Sequence, residues 1–188
     1  MTVSLVRPTL DLFESWAATL SEFGGADLHG MGMEASATPD RATCERLVAM
    51  AGRYADPEAE LPPDKVHCDM FWIVESAAED GAGEPEVVGF IAFRRTLNEY
   101  LAYAGGHIGY SIRPSRRRRG YASAALGLVL ARARAAGYGR VMITCDDENA
   151  GSARTIESAG GELSDVIDAT DVGHPRLRRY WIPLGEER

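Results

Sequence analysis

Gly105-Gly-His-Ile-Gly-Tyr-Ser-Ile-Arg-Pro-Ser-Arg-Arg-Arg-Arg-Gly-Tyr-Ala-Ser-Ala-Ala125 is the stretch whose reading decides the fold. From Gly106 to Ile112 the apolar residues Ile108, Tyr110 and Ile112 alternate with His107, Gly109 and Ser111, which is strand spacing. Pro114 has no N–H to give a sheet ladder, so the strand ends there. Arg116 to Arg119 and Gly120 form a basic loop. From Ala122 the period changes: Ala122, Ala125, Leu126, Val129, Leu130 and Ala133 line one face of a helix. A strand, an arginine-glycine loop and a helix start together suit an anion. The first N–H groups of a helix lack partners and carry partial positive charge. Gly120 lets a guest approach the backbone, and arginines add donors matched to phosphate. A pyrophosphate fits this pattern; a merely solvated basic loop is the plainer alternative.

Around this stretch the chain is acidic. Its 188 residues carry a net charge of −8, with 45% hydrophobic and 26% charged residues, an ordinary balance for one globular domain spanning 1–188. An acidic whole argues against general nucleic-acid binding and makes the arginine run a local exception. It weakly favours a cationic or amine substrate. Cys44, Cys68 and Cys145 are odd in number and far apart, which implies reduced thiols and a cytoplasmic location. No run approaches a membrane span and no signal peptide is evident. No histidine shows metal-ligand spacing, so no metal is expected. Lys65 is the only lysine and no phosphate-binding Gly-x-x-x-x-Gly-Lys-Ser/Thr occurs, which excludes a nucleotide kinase of that type.

Along the chain the pattern predicts a first strand over 3–6. A helix follows from Thr9 to Gly24, and a second helix starts at Thr38-Pro39-Asp40 with Pro39 at its first position. Strands over 68–74 and 87–94 make an antiparallel hairpin. Thr96 to Ala104 reads as a plain connection, and 140–145 as a buried strand. Asn149 caps a short helix closed by Gly160, and 162–167 and 177–182 read as the last strands. The order is that of an α+β domain with a mixed sheet.

Arg117-Arg118-Arg119-Gly120-Tyr121-Ala122 after the fourth strand, then Asn149, Ser152 and Gly160 around a short helix after the fifth, resembles the GCN5-related N-acetyltransferase (GNAT) family and an uncharacterised bacterial branch of it. The resemblance is strongest from about Val87 to Gly161. It implies a mostly antiparallel mixed sheet splayed between strands 4 and 5, flanked by helices, with acetyl-CoA as co-substrate in the gap. It places the backbone of Ile112 and Arg113 on the pantetheine arm. Residues Arg117, Arg118, Arg119, Gly120, Tyr121 and Ala122 fall on the pyrophosphate, and Asn149 and Ser152 on the arm or phosphates.

The implied reaction is acetyl transfer to a primary amine of a small molecule or peptide by direct attack in a ternary complex. Such transfer needs a base for the amine proton, a donor for the carbonyl oxygen and a proton for the departing thiolate. Many relatives use a strand Glu as base, and here His107 and Thr144 stand in the comparable places. The base candidates are His107, which suits base work, and Glu99; for each the alternative is a hydrogen-bonded or solvated side chain. No Tyr follows Asn149 on its helix, so Tyr180 or Tyr110 is left as thiolate donor. The missing Glu and Tyr support a second reading, a non-catalytic CoA-binding or regulatory module. Cys145 has no histidine close in sequence to activate it and reads as structural. The acceptor is not named by any motif, and the reading leaves room for a homodimer but for no nucleic-acid or membrane partner.

Overall fold

Two neighbouring strands carry almost unbroken apolar sequence because both of their faces are covered. They are β2 (Cys68–Glu75) and β3 (Glu86–Arg94), an antiparallel pair in which Phe71 faces Ile91 and Trp72 faces Phe90. The computed structural model describes residues 2–25, 28–32, 37–76, 84–174 and 176–185. The expected turn between the two strands falls largely on residues 77–83, outside the described residues. β1 (Val3–Val6) pairs with β2, and β4 (Ile108–Ile112) pairs with β3. β5 (Arg140–Asp146), β6 (Glu162–Asp168) and β7 (Arg176–Pro183) complete a seven-stranded sheet in the order β1-β2-β3-β4-β5-β7-β6. Every pairing is antiparallel except β4 with β5. The fold class read from the sequence is the one found.

Strand alternation sorts the core into two layers. Trp72, Val74 and Phe90 join Trp16, Leu20 and Phe23 of α1 (Phe13–Phe23) and Cys44 and Leu47 of α2 (Arg41–Ala55). Phe71, Ile73 and Ile91 pack instead against Ala125, Leu126 and Val129 of α3 (Tyr121–Ala135) and Ile156 of α4 (Ala150–Ser158). Helices therefore cover both faces. α2 begins two residues later than read: Asp40 is the cap, accepting from the Thr43 N–H at 2.7 Å, and Pro39 lies outside. The side-chain oxygen of Asp40 satisfies an amide that Pro39 could not.

Two departures shape the centre. Residues Leu101–Gly105, read as a plain connection, form a short π-helix. Gly106 follows at φ +67°, with its N–H donating to the Leu101 carbonyl at 2.7 Å. β4 accordingly begins at Ile108, and His107 precedes it. A π-turn has no side-chain period of its own, so alternation and spacing carry no sign of it.

Candidate active site

β4 and β5 touch at one register point, Ile108 opposite Ile143. Beyond it they diverge. The amide of Arg113 donates to Val88 and the carbonyl of His107 accepts from Arg94, so these residues face β3. Alternation then turns the backbone of Tyr110 and Ile112 toward the open edge. A cleft of about 710 Å³ occupies the gap, lined on the β4 side by Ile108 to Ile112 and on the β5 side by Thr144, Cys145 and Asp146. It lies beyond the carboxyl ends of two parallel strands, where ligands of open α/β sheets collect.

One end of the cleft gathers helix-start amides and arginine side chains. α3 starts at Gly120, which caps it at φ +84° with no side chain satisfying the first-turn amides. Arg118 is the only non-glycine residue with positive φ among those described, at +64°. Two left-handed residues in three bend the loop back so that Arg117, Arg118, Gly120, Tyr121 and Ala122 all line the cleft. The arginines divide their work. Glu86 pairs with Arg116 and, at 2.7 Å, with Arg113, while Glu22 holds Arg113 at 3.1 Å. The Ser115 amide and the Arg113 side chain hold the Glu22 carboxyl below its usual range. Arg117 donates from Nε to the Ile112 carbonyl at 3.0 Å. Arg117, Arg118 and Arg119 make no ion pair among the described residues.

The middle of the cleft is tied across the splay. Tyr110 Oη and Ser152 Oγ are 2.8 Å apart, linking β4 to α4. Burial raises the Tyr110 phenol above its ordinary value. Asn149 caps α4, accepting from the Ser152 N–H at 3.0 Å. Thr144 donates to the Ala104 carbonyl at 2.8 Å and so anchors the π-helix to β5. Cys145 is buried and its thiol is pushed up to about 11, chiefly by burial, so it is protonated at neutral pH.

The far end gathers residues remote in sequence. His29 and Gly30 lie on β4, with the His29 amide donating to Ser111 Oγ at 2.8 Å. Gly30 is buried there at φ +80°, and any side chain on it would strike the Gly109 carbonyl. Tyr100 Oη stands 2.8 Å from His174 Nε2, and both residues line the cleft with His29 and Arg94.

Of the residues singled out by sequence, Ile112, Arg117, Arg118, Gly120, Tyr121, Ala122, Asn149 and Ser152 line this one cleft. Arg113 and Arg119 do not: Arg113 is spent on Glu22 and Glu86, and Arg119 is exposed. The Tyr121 ring is buried in the core near Glu75, its hydroxyl pushed up to about 12 mainly by burial, so only its backbone serves the loop. Of the catalytic candidates, Tyr110 lines the cleft, and His107, Glu99 and Tyr180 do not. His107 sits among Phe93, Tyr138 and Trp181 and accepts the Met142 N–H on Nδ1 at 2.9 Å; burial, then the Arg94 charge, lowers its pKa. The left-handed turn at Gly106 separates it from the alternation of Gly109 and Ser111. Glu99 is exposed ahead of the π-helix. Tyr180 is buried and donates to Glu157 at 2.9 Å. Arg94, Tyr100 and His174 carry no motif; their distance in sequence hides them. Among the described residues no group of three His, Cys, Asp or Glu could hold a metal ion.

The chain is similar to other proteins at the level of fold and family. No curated protein matches it. Among solved structures, the ribosomal L7/L12 alpha-N-protein acetyltransferase RimL in complex with coenzyme A superimposes with a TM-score of 0.70 at 13% identity, covering 100% of this chain and 97% of that one. Mycobacterium smegmatis RimJ in complex with CoA-disulfide gives 0.68 at 17% identity, covering 96% and 81%. The microcin C7 self-immunity acetyltransferase MccE in complex with acetyl-CoA and AMP gives 0.66 at 13% identity, covering 96% and 92%. Such identities speak for the fold alone. The model of the acetyltransferase (GNAT) domain matches residues 14–162, and with the splayed β4–β5 pair and its arginine-glycine loop the chain belongs to the GNAT acetyltransferase family.

Proposed function

We propose that the protein is an acetyl-CoA-dependent N-acetyltransferase that acetylates a primary amine by direct attack. The observation that carries this reading is the cleft itself. An uncapped helix start with two left-handed loop residues and unpaired arginines opens onto a strand edge whose backbone is not taken up by β5. That combination suits a pyrophosphate joined to an amide-bearing arm. Structures of RimL and MccE hold CoA or acetyl-CoA in the same fold. In this reading Arg117, Arg118 and the amides from Gly120 to Ala122 take the diphosphate, Tyr110 and Ile112 the arm, and Asn149 and Ser152 its α4 side. Arg119 contributes charge from outside the lining, whereas Arg113, paired with Glu22 and Glu86, does not.

Acetyl-CoA supplies an activated acetyl group; the chain supplies proton handling and charge. The Tyr110 N–H faces the open edge and is the backbone donor for a carbonyl oxygen gaining charge. The Tyr110 hydroxyl, kept protonated by burial and held by Ser152, is a proton donor for a leaving thiolate. Tyr100 and His174 form a hydrogen-bonded pair that takes the amine proton: Tyr100 accepts it as its own proton passes to Nε2. The protonated Cys145 thiol argues for direct attack and against an acyl-enzyme.

The test pairs two variants. Gly120→Glu puts bulk and negative charge in the loop and abolishes acetyl-CoA binding by calorimetry. His174→Gln keeps that affinity and lowers kcat by roughly 10²–10⁴-fold. Undiminished affinity in the first removes the diphosphate assignment, and undiminished turnover in the second removes the proton pair. Tight acetyl-CoA binding with no turnover on any amine would instead mark a binding module.

A further inference from the structure

Arg94 ends β3 at the far end of the cleft, and among the described residues its charge has no counter-ion. Its Nη1 donates to the carbonyls of Gly106 at 3.1 Å and Gly105 at 3.3 Å, and no described carboxylate pairs with it. The guanidinium lies along β4, within 3.7 Å of where a side chain on Gly109 would begin, and it borders the cleft beside Tyr100. Two carbonyls hold the group without neutralising it, and arginine does not escape by losing its proton. Burial lowers its pKa, and its charge is felt by His107. A partly buried cation of this kind is costly unless an anion joins it.

The anion is not the cofactor's. Ile108 to Ile112 separates Arg94 from the arginine-glycine loop, roughly 13 Å of strand at about 3.3 Å per residue. The remaining cleft is equally one-sided. Among the described residues, Arg94, Arg117, Arg118 and Arg154, with Arg116 that Glu86 pairs, line it against one carboxylate, Asp146, in a chain whose net charge is −8. Acidity of the whole chain therefore says little about the acceptor, and the lining is unsuited to a polycationic amine.

We propose that Arg94 is the acceptor-recognition site and that the acceptor is an amine carrying a carboxylate within reach of it. The remaining guanidinium N–H groups present a planar fork to the carboxylate. Gly109 leaves the approach open, and Tyr100 and His174 stand on the amine side. The carboxylate belongs either to a free amino acid or to an acidic side chain near the amino terminus of a peptide. This inference rests on the transferase reading above.

The experiment follows thiol release from acetyl-CoA with each common amino acid against its primary carboxamide, and with Ala-Glu-Ala-amide against Ala-Gln-Ala-amide. At least a tenfold higher kcat/KM for the acid member is expected, in the first arm for a free amino acid and in the second for a peptide. Arg94→Gln and Arg94→Lys reduce that preference to under threefold while leaving acetyl-CoA affinity unchanged. Carboxamides serving as well as acids in both arms would overturn the proposal, as would a preference surviving in both variants. If no amine is acetylated, the transferase reading fails. The site is then judged on the CoA-loaded protein: stabilisation by the acids and not by the carboxamides, lost in Arg94→Gln, supports it, and equal or absent stabilisation overturns it.

Discussion

His107 shows how one residue's surroundings decide its role. A histidine just ahead of the strand that leads to the arginine-glycine loop invites a catalytic reading, yet its ring is enclosed by Phe93, Tyr138 and Trp181 and its Nδ1 is committed to the Met142 amide. Protonation would break that bond and place charge near Arg94. The consequence is a stability effect. The folded-state pKa lies below the ordinary 6.5, so the unfolded chain takes up the proton first as pH falls. The contribution is complete above about pH 6.5 and declines toward the folded-state pKa, at no more than about 1.4 kcal/mol per pH unit. Urea denaturation between pH 7 and 5 should show His107→Phe losing less stability than the parent over this range. Parallel slopes would assign the acid sensitivity to other groups.

At the level of elements, the cleft depends on β4 meeting β5 once and then leaving it. Gly106 sets that geometry. At φ +67° it closes the π-helix, and a Cβ there would lie 2.7 Å from the Met142 carbonyl on β5. Alanine meets both a disfavoured backbone region and a backbone atom that cannot swing aside. Gly106→Ala is expected to cost about 1–3 kcal/mol and to speed amide exchange at His107 and Ile108 before the β2–β3 pair. Protection that stays uniform would show that the strands tolerate the shift. Thr144 supports the same junction by holding the π-helix to β5 through Ala104.

For the molecule as a whole, an acidic body surrounds a cleft lined by arginines. Long-range repulsion of a polyanionic ligand therefore competes with short-range attraction at the loop, and salt weakens the latter as exposed arginines are screened. Acetyl-CoA at a hundred times its Kd should stabilise the fold by about 2.7 kcal/mol, a rise in Tm of roughly 5–11 °C for a chain of this size. Raising NaCl from 50 to 500 mM should shrink that rise. A salt-independent shift would mean that the phosphates are not the main anchor.

Much of this was legible from residue order alone. The strand and helix periods, the Gly120 loop, the Asn149 cap and the buried strand at Arg140–Asp146 are local properties, set by side-chain spacing and backbone preference over a few residues. The arginine-glycine end of the cleft was therefore readable from one contiguous stretch. The end lined by Arg94, Tyr100 and His174 was not. Arg94, Tyr100 and His174 meet only because the π-helix turns Tyr100 toward a loop 74 residues away and β3 delivers Arg94 beside β4. His107 and Tyr180 were drawn into the core for the same reason. Periodicity records which face a residue takes within its own element; which distant side chain shares that space is decided by how the elements pack.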